Sequence, residues 1–279
     1  MYKQLDDFIF YLSDKEGKSR NTCLSYQRDL RQMMDYLSSA FGISKVTEIT
    51  GSYLSEYEQV LKDKQKSPAT ISRYVASAKA FFEYELSKGF VSTNPTKELN
   101  SPKVIKKKPS ILSEVETVRL LSMPGDDPKG MRDKAMLELM CDTGMRVSEL
   151  LGIKLTDIDI EKRTIVVPGS RTRKIGYDRK INKYLDAYIK NARAVILGDC
   201  KDDGFLFLNV NGEGMSRQGF WKLIKKYGKA AEIETELTPH VLRHSFAAHA
   251  LKNGKDIKKV QSIMGHSDLS TTSGYLSLY

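Results

Sequence analysis

The chain has 279 residues, 40% hydrophobic and 29% charged, with 45 Lys and Arg against 35 Asp and Glu, a formal net charge of +10. That length suits one large domain or two ordinary ones with a substantial core, and the positive excess suits a polyanionic partner. No apolar run approaches the roughly 18 residues needed to span a membrane, and the start Met1-Tyr2-Lys3-Gln4-Leu5-Asp6-Asp7 has neither the basic opening nor the apolar stretch of a signal peptide. The three cysteines, Cys23, Cys141 and Cys200, are odd in number and widely spaced. They fit a reducing cytoplasm, and neither a disulfide framework nor a zinc site.

Residues 1–93 read as helices throughout. Leu5, Phe8, Ile9 and Leu12 fall at the i, i+3, i+4, i+7 spacing of an amphipathic helix over residues 2–14. A second helix is expected over about residues 21–40, with Leu24, Leu30, Met33, Met34 and Leu37 inward and Arg20, Arg28 and Arg31 outward. A third covers about 51–64. Ser67-Pro68 opens a fourth, carrying Ile71, Tyr74, Val75, Ala78, Phe81, Phe82 and Tyr84 to a stop at Gly89. Four amphipathic helices of this length imply a small bundle. Lys64, Lys66, Arg73 and Lys79 form either a polyanion-facing edge or an ordinary solvated surface.

Residues 94–109 hold three prolines and five lysines without periodicity, and read as an extended linker. The second domain, 110–279, begins with the capping box Ser113-Glu114-Val115-Glu116. A helix over 129–141 ends at Gly144 and delivers Arg146 to the start of the next, where Glu149, three residues on, shares its face. Residues 157–167 alternate and turn, and 172–177 pair with them as another short strand. Helices are expected at about 180–196 and 216–231, separated by a strand-like Phe205-Leu206-Phe207-Leu208. The fold class is mainly α: an N-terminal helical bundle, then a mostly helical domain with one small antiparallel sheet.

The last forty residues hold all four histidines, His240, His244, His249 and His266. Thr238-Pro239 reads as a helix N-cap and first turn. His240 and Arg243 share a face at that helix's N-terminal end, where outward N–H groups already favour an anion. His240 and His244 also have the i, i+4 spacing of a zinc pair, but the glutamate of H-E-x-x-H is missing. Gly265 closes a short helix over 256–264 and places His266 just beyond it, and a further helix over 269–277 carries Tyr275.

Four pieces occur in order: Thr143-Gly144-Met145-Arg146-Val147-Ser148-Glu149-Leu150, then His240-Val241-Leu242-Arg243-His244, then Gly265-His266-Ser267, then a tyrosine nine residues after that histidine. Together they resemble the tyrosine recombinases, in particular the Xer-type and phage-integrase-like members. The resemblance spans most of 110–275, with a weaker likeness over the first hundred residues. It implies a SAM-like core-binding domain that clamps duplex DNA opposite a catalytic domain, and site-specific cleavage and rejoining of DNA. Arg146 and Arg243 would bring two permanently charged forks to the scissile phosphate. His240 and His266 would bond the phosphate or assist proton transfer, Glu149 would orient Arg146, and Tyr275 would attack phosphorus to give a 3′-phosphotyrosyl bond. Such a link conserves bond energy, so neither ATP, metal nor other cofactor is expected. The implied partners are double-stranded DNA and other recombinase subunits in a synaptic tetramer.

Two places depart from the family pattern. The lysine expected at the turn between two strands, which protonates the leaving 5′-oxygen, is replaced by Pro168-Gly169. Lys174 is the nearest lysine and the expected acid, with Arg171 and Arg173 as alternatives that are poor proton donors because guanidinium titrates above about 12. A simple DNA-backbone role for all three stays open. Only Leu276, Ser277, Leu278 and Tyr279 follow Tyr275, where a further helix is implied; Tyr279 is a second tyrosine, and the spacing from His266 favours Tyr275. The rival expectations are a DNA-binding protein that keeps the fold without turnover, and a metal-dependent nuclease.

Overall fold

The computed structural model describes residues 1–103, 108–167, 172–265, 268 and 272–277. The chain divides into two compact units, Met1–Lys106 and Lys107–Tyr279. Among the described residues no helix is long and apolar enough to cross a membrane.

The first unit is built from α1 (Tyr2–Asp14), α2 (Arg20–Phe41), α3 (Gly51–Asp63) and α4 (Pro68–Ser87). Local chemistry sets their ends. The Ser19 hydroxyl accepts from the Thr22 N–H and the Ser67 hydroxyl from the Thr70 N–H, each satisfying an orphan donor of a first turn. Gly42, at φ 69°, supplies the left-handed cap of α2. The apolar stripes meet in one core that includes Leu5, Phe8, Leu30, Met33, Tyr74 and Phe81.

One reading of this unit is corrected and another is sharpened. Leu24 does not face inward; it is 47% exposed, and Cys23 is buried instead. Cys23, Leu30 and Leu37 lie seven apart and stay on one helix face, whereas Leu24 is rotated about 100° off it. Arg73 is on the exposed surface as expected, and it is also paired. Its Nε and Nη2 donate to the two carboxylate oxygens of the buried Asp29 at 2.7 and 2.9 Å. Lys64 and Lys66 are exposed and Lys79 is half-buried.

The stretch read as an extended linker begins by folding back on this unit. Asn94 accepts from the Thr96 N–H and starts a 3₁₀ turn, Pro95–Glu98, and Leu99 is buried in the first core. An Asn-Pro pair is itself a cap followed by a first-turn proline, and Leu99 supplies the apolar anchor.

The second unit contains α5 (Glu114–Ser122), α6 (Pro128–Thr143), α7 (Val147–Gly152), strands β1 (Ile158–Asp159), β2 (Thr164–Val167) and β3 (Arg173–Gly176), then α8 (Arg179–Ala187), α9 (Arg193–Leu197), α10 (Arg217–Ala230), α11 (Pro239–Lys252) and α12 (Ile257–Met264). The Ser113–Glu116 capping box is present. The sheet runs β1-β2-β3, antiparallel, with Val166 opposite Lys174 and Val167 opposite Arg173. The helix expected over 180–196 is broken by a π turn, Tyr188–Ala192. Beyond it the buried Arg193 is held by Asp202 and the Phe205 carbonyl. Phe205 and Leu208 make only isolated bridges, to Lys154 and Gly214. α11 is buried nearly all round, from Val241 and Leu242 through Ser245 and Phe246 to Leu251, so it runs through the interior of the unit.

Candidate active site

The site is assembled where α6 gives way to α7. Gly144 ends α6 in the left-handed conformation at φ 55°, and a Cβ there would lie 2.2 Å from the Phe246 ring. Only glycine fits both the turn and the approach of α11. Two residues later Arg146 occupies the N-cap of α7. Its N–H donates to Glu149 Oε2 at 2.7 Å and its Nη1 to Glu149 Oε1 at 2.9 Å, so one carboxylate holds both backbone and side chain.

Glu149 is 8% exposed and serves a second arginine. Arg173, from β3, donates Nη1 to Oε1 at 2.9 Å and Nη2 to Oε2 at 3.0 Å, a two-pronged fork. Burial on its own would raise the Glu149 carboxyl, but the bonds from Arg173 and then Arg146 outweigh it and hold the group below its ordinary value.

The C-terminus of α12 gathers the arginines. Three successive carbonyls accept from three guanidinium groups: Ile263 from Arg173 Nε at 3.0 Å, Met264 from Arg243 Nη2 at 2.8 Å, and Gly265 from Arg146 Nη2 at 2.8 Å. The last carbonyls of a helix have no intrahelical partner and carry its negative dipole end, which suits cations. Gly265 caps the helix at φ 64°. Arg243 also donates Nη1 to the Gly144 carbonyl at 2.5 Å. It is 6% exposed, whereas the Arg146 side chain is 45% exposed. Burial, and then the neighbouring Arg146, pull Arg243 down to about 10, which leaves it a cation at neutral pH.

The nucleophile candidate lies beside this cluster. Tyr275 sits in the 3₁₀ turn Gly274–Ser277, 4% exposed, packed with Phe246, Val260 and Met264. Its hydroxyl is 2.7 Å from His244 Nδ1, and the His244 ring stacks on that of His240 at 6.2 Å between centroids. Burial pushes the Tyr275 phenol up, with Arg243 opposing. Burial, then His240 and Arg243, push His244 below its ordinary value. At neutral pH the pair is therefore a phenol beside a neutral imidazole, and in the Nε2–H tautomer Nδ1 accepts the phenol proton.

The sequence-derived residues divide accordingly. Arg146, Glu149 and Arg243 are brought together, and Tyr275 joins them through His244. His240 and Arg243 do not present themselves side by side to solvent: His240 is exposed and Arg243 turns inward. His266, Arg171 and Tyr279 lie outside the described residues. Lys174 is not brought to the cluster. Successive side chains of a strand point to opposite faces; Arg173 and Ile175 face inward, and Lys174 is exposed on the other side, near enough to Asp159 to hold its carboxyl down behind the stronger Lys162 contacts. Two residues stand in places the sequence did not give them: Arg173 reads in sequence as an alternative acid or backbone contact, and His244 as half of a zinc-like pair. Arg173 was signalled by its alternation with the apolar Ile175, and His244 by standing one turn after His240 and next to Arg243.

Comparison with known proteins followed the same division of the chain. Residues 110–279 match the Phage integrase family, and residues 5–89 the Phage integrase N-terminal SAM-like domain. Tyrosine recombinase XerD of Listeria monocytogenes serotype 4b (strain F2365) is 35% identical over 274 residues, 97% of this chain and 92% of the relative. Tyrosine recombinase XerD of Halalkalibacterium halodurans is 37% identical over 274 residues, 97% of this chain and 91% of the relative. Among solved structures, the Tn1549 transposon integrase in complex with circular intermediate DNA superposes with a TM-score of 0.76 at 26% identity, covering 98% of this chain and 94% of that one.

Proposed function

The chain belongs to the phage integrase family and is a tyrosine-type site-specific DNA recombinase, and on that premise we propose that it cleaves and rejoins double-stranded DNA through a covalent bond between Tyr275 and a 3′-phosphate. The observation that carries this reading is the convergence of Arg146 and Arg243 on adjacent carbonyls beside a tyrosine whose hydroxyl meets a neutral imidazole. Arg146 and Arg243 hold the non-bridging oxygens of the scissile phosphate, the electrostatic contribution that is usually the largest in such a site. Tyr275 Oη forms the bond to phosphorus as the bond to the 5′-oxygen breaks, and its proton passes to His244 Nδ1. His240 and His266 bond the phosphate or move protons at it, and Glu149 orients Arg146.

The departing 5′-oxygen also takes up a proton. Lys174, on the outer face of the sheet, is poorly placed to supply it. A substrate with sulfur at the bridging 5′ position identifies the donor, since a thiolate leaves unaided: only a variant of the true acid recovers its rate there. We further propose a cytoplasmic protein that acts with other recombinase subunits in a synaptic tetramer on DNA, needing neither metal nor ATP because the phosphotyrosyl bond conserves the energy of the broken one.

The target sequence and the chemistry can be read in one experiment. The protein is incubated with a pool of nicked duplexes of randomised sequence, and covalent adducts are trapped in denaturing detergent and sequenced. The expected result is an enriched sequence linked through a 3′-phosphate, lost in Tyr275→Phe although that variant still retards the same duplex in a gel. Retardation without any adduct would identify a binding protein that lacks turnover. Chelator-sensitive cleavage without an adduct would identify a nuclease.

A further inference from the structure

Arg173 has no part in the reaction proposed above, yet among the described residues it is the most heavily tied of the three arginines. All three of its guanidinium nitrogens are engaged: Nε with the Ile263 carbonyl, and Nη1 and Nη2 with the two oxygens of Glu149. Its side chain is 16% exposed. A guanidinium held at all three nitrogens and only 16% exposed is fixed in place before any ligand arrives. It connects β3 to the carboxylate that holds Arg146, and to the helix end on which Arg146 and Arg243 are seated.

The stereochemistry gives that connection a direction. Arg146 reaches Glu149 with a single side-chain nitrogen, whereas Arg173 occupies the carboxylate with a parallel pair of bonds. A carboxylate gripped by such a fork cannot rotate about its own axis without breaking both bonds. Oε1 is therefore fixed where Arg146 Nη1 meets it, and the exposed part of the Arg146 guanidinium is aimed by default. Without Arg173, Glu149 keeps only the Arg146 N–H on Oε2 and can turn about that bond to offer the Arg146 guanidinium a closer pairing. That would draw Arg146 back onto the carboxylate and away from an incoming phosphate.

We propose that Arg173 is a positioning residue of the recombinase: by clamping Glu149 and the α12 C-terminus it keeps the carboxylate from capturing Arg146, so that Arg146 stays available to the scissile phosphate. The inference rests on the phosphate-binding role assigned to Arg146. It predicts that Arg173 matters only when the phosphate carries the charge Arg146 is there to meet.

A scissile phosphate with one non-bridging oxygen replaced by methyl is neutral and has little need of Arg146. Single-turnover adduct formation is measured on the duplex selected from the pool, in its phosphate and methylphosphonate forms. On the phosphate, Arg173→Ala is expected to lose about 10²–10³-fold, the usual cost of one well-placed donor, with DNA affinity within a few-fold of the parent. On the methylphosphonate it keeps the parental rate to within about tenfold, as does Arg146→Ala. The double variant Arg146→Ala/Arg173→Ala loses no more on the phosphate than Arg146→Ala alone, because both act through one group. Arg173→Lys, which keeps the charge and the fold of β3 but not the fork, falls between the parent and Arg173→Ala.

Equal losses on the two substrates, or losses that multiply in the double variant, overturn the proposal and leave Arg173 with a folding role or an independent contact. A second readout does not depend on turnover. The Arg146 Nε–H resonance in the DNA-free protein shifts when Arg173→Lys lets Glu149 turn, and an unchanged resonance likewise overturns the proposal. A parent that forms no adduct while this resonance shifts sinks the recombinase mechanism and spares the clamp.

Discussion

Gly265→Ala puts the geometry of the arginine cluster to its sharpest test. The glycine has φ 64°, and a Cβ built on it would lie 2.9 Å from Arg173 Nη1, 3.0 Å from Arg173 Cζ and 3.3 Å from Arg146 Nη1. Two separable costs follow. The left-handed backbone alone costs an alanine about 1–2 kcal/mol, which for a domain of this size corresponds to a fall in Tm of roughly 2–8 °C. The close contacts also force both guanidinium groups back by several tenths of an ångström, and neither can retreat without lengthening bonds to Glu149 or the α12 carbonyls. Loss of one aimed donor is worth about 10²–10³ in rate, so adduct formation is expected to fall by that factor at temperatures where the variant stays folded. Gly265→Asn separates the two costs, because asparagine tolerates the left-handed region better than alanine yet carries the same Cβ. Its Tm recovers part of the loss and its cleavage rate does not. Single-turnover trapping beside thermal unfolding reads both quantities. If Gly265→Ala cleaves within a few-fold of the parent, or if asparagine restores rate and stability together, the positions of Arg146 and Arg173 do not control the chemistry.

Two further expectations concern the first unit and the DNA. Glu85 is fully buried, one oxygen accepts from Gln4 Nε2, and the other meets no hydrogen-bond partner among the described residues; burial above all raises its pKa. A carboxyl raised on folding contributes its stability at low pH and loses it as pH climbs from the unfolded value of about 4.5 through the folded one. Glu85→Gln should therefore be more stable than the parent at neutral pH, on the order of 1 kcal/mol, with the gap closing towards pH 4 in urea titrations; a pH-independent gap would contradict this assignment. Binding of the selected duplex should weaken steeply with salt, with a log–log slope near −0.9 for each phosphate contacted, and a flat response would mean that the net charge of +10 is not directed at DNA.

Periodicity and capping made the helices legible, because those signals are local. Ser19, Ser67, Ser113 and Thr238 each accept the N–H that a first-turn cap requires. The order of strands near Arg173 was legible for the same reason. What local signals do not carry is which face a residue finally turns to when several elements compete for it. Leu24 is as apolar as Leu30, and only the seven-residue register with Cys23 and Leu37 decides between them. Arg73 looks like any surface arginine until α2 and α4 pack and place Asp29 under it. The π turn after α8 answers to Arg193 and its partners Asp202 and Phe205, which come later in the chain.

The site shows the same limit more sharply. The chemistry-bearing residue types were legible from their spacing, and so was the local Arg146–Glu149 pair, but the distant partners were not, since the contacts of Arg146 with Gly265 and of Arg173 with Glu149 span 119 and 24 residues. Lys174 was favoured as the lysine nearest the expected turn and on titration chemistry over its arginine neighbours, and strand alternation turns it outward and Arg173 in. The resulting balance of charge explains why such a cluster is held by main chain. Two of the three guanidinium groups share the Glu149 carboxylate and Arg243 is held by carbonyls alone, and a second carboxylate would cancel the field that the proposed reaction uses. Carbonyl dipoles can fix a cation without neutralising it, so Ile263, Met264 and Gly265 position the arginines and leave the site short of negative charge. Arg243 is lowered to about 10, first by burial and then by the neighbouring Arg146, which is the direction such a shortage adds to. On the proposed mechanism a phosphate entering the cluster would relieve it, and the transition state, in which charge builds on the same non-bridging oxygens, would relieve it further.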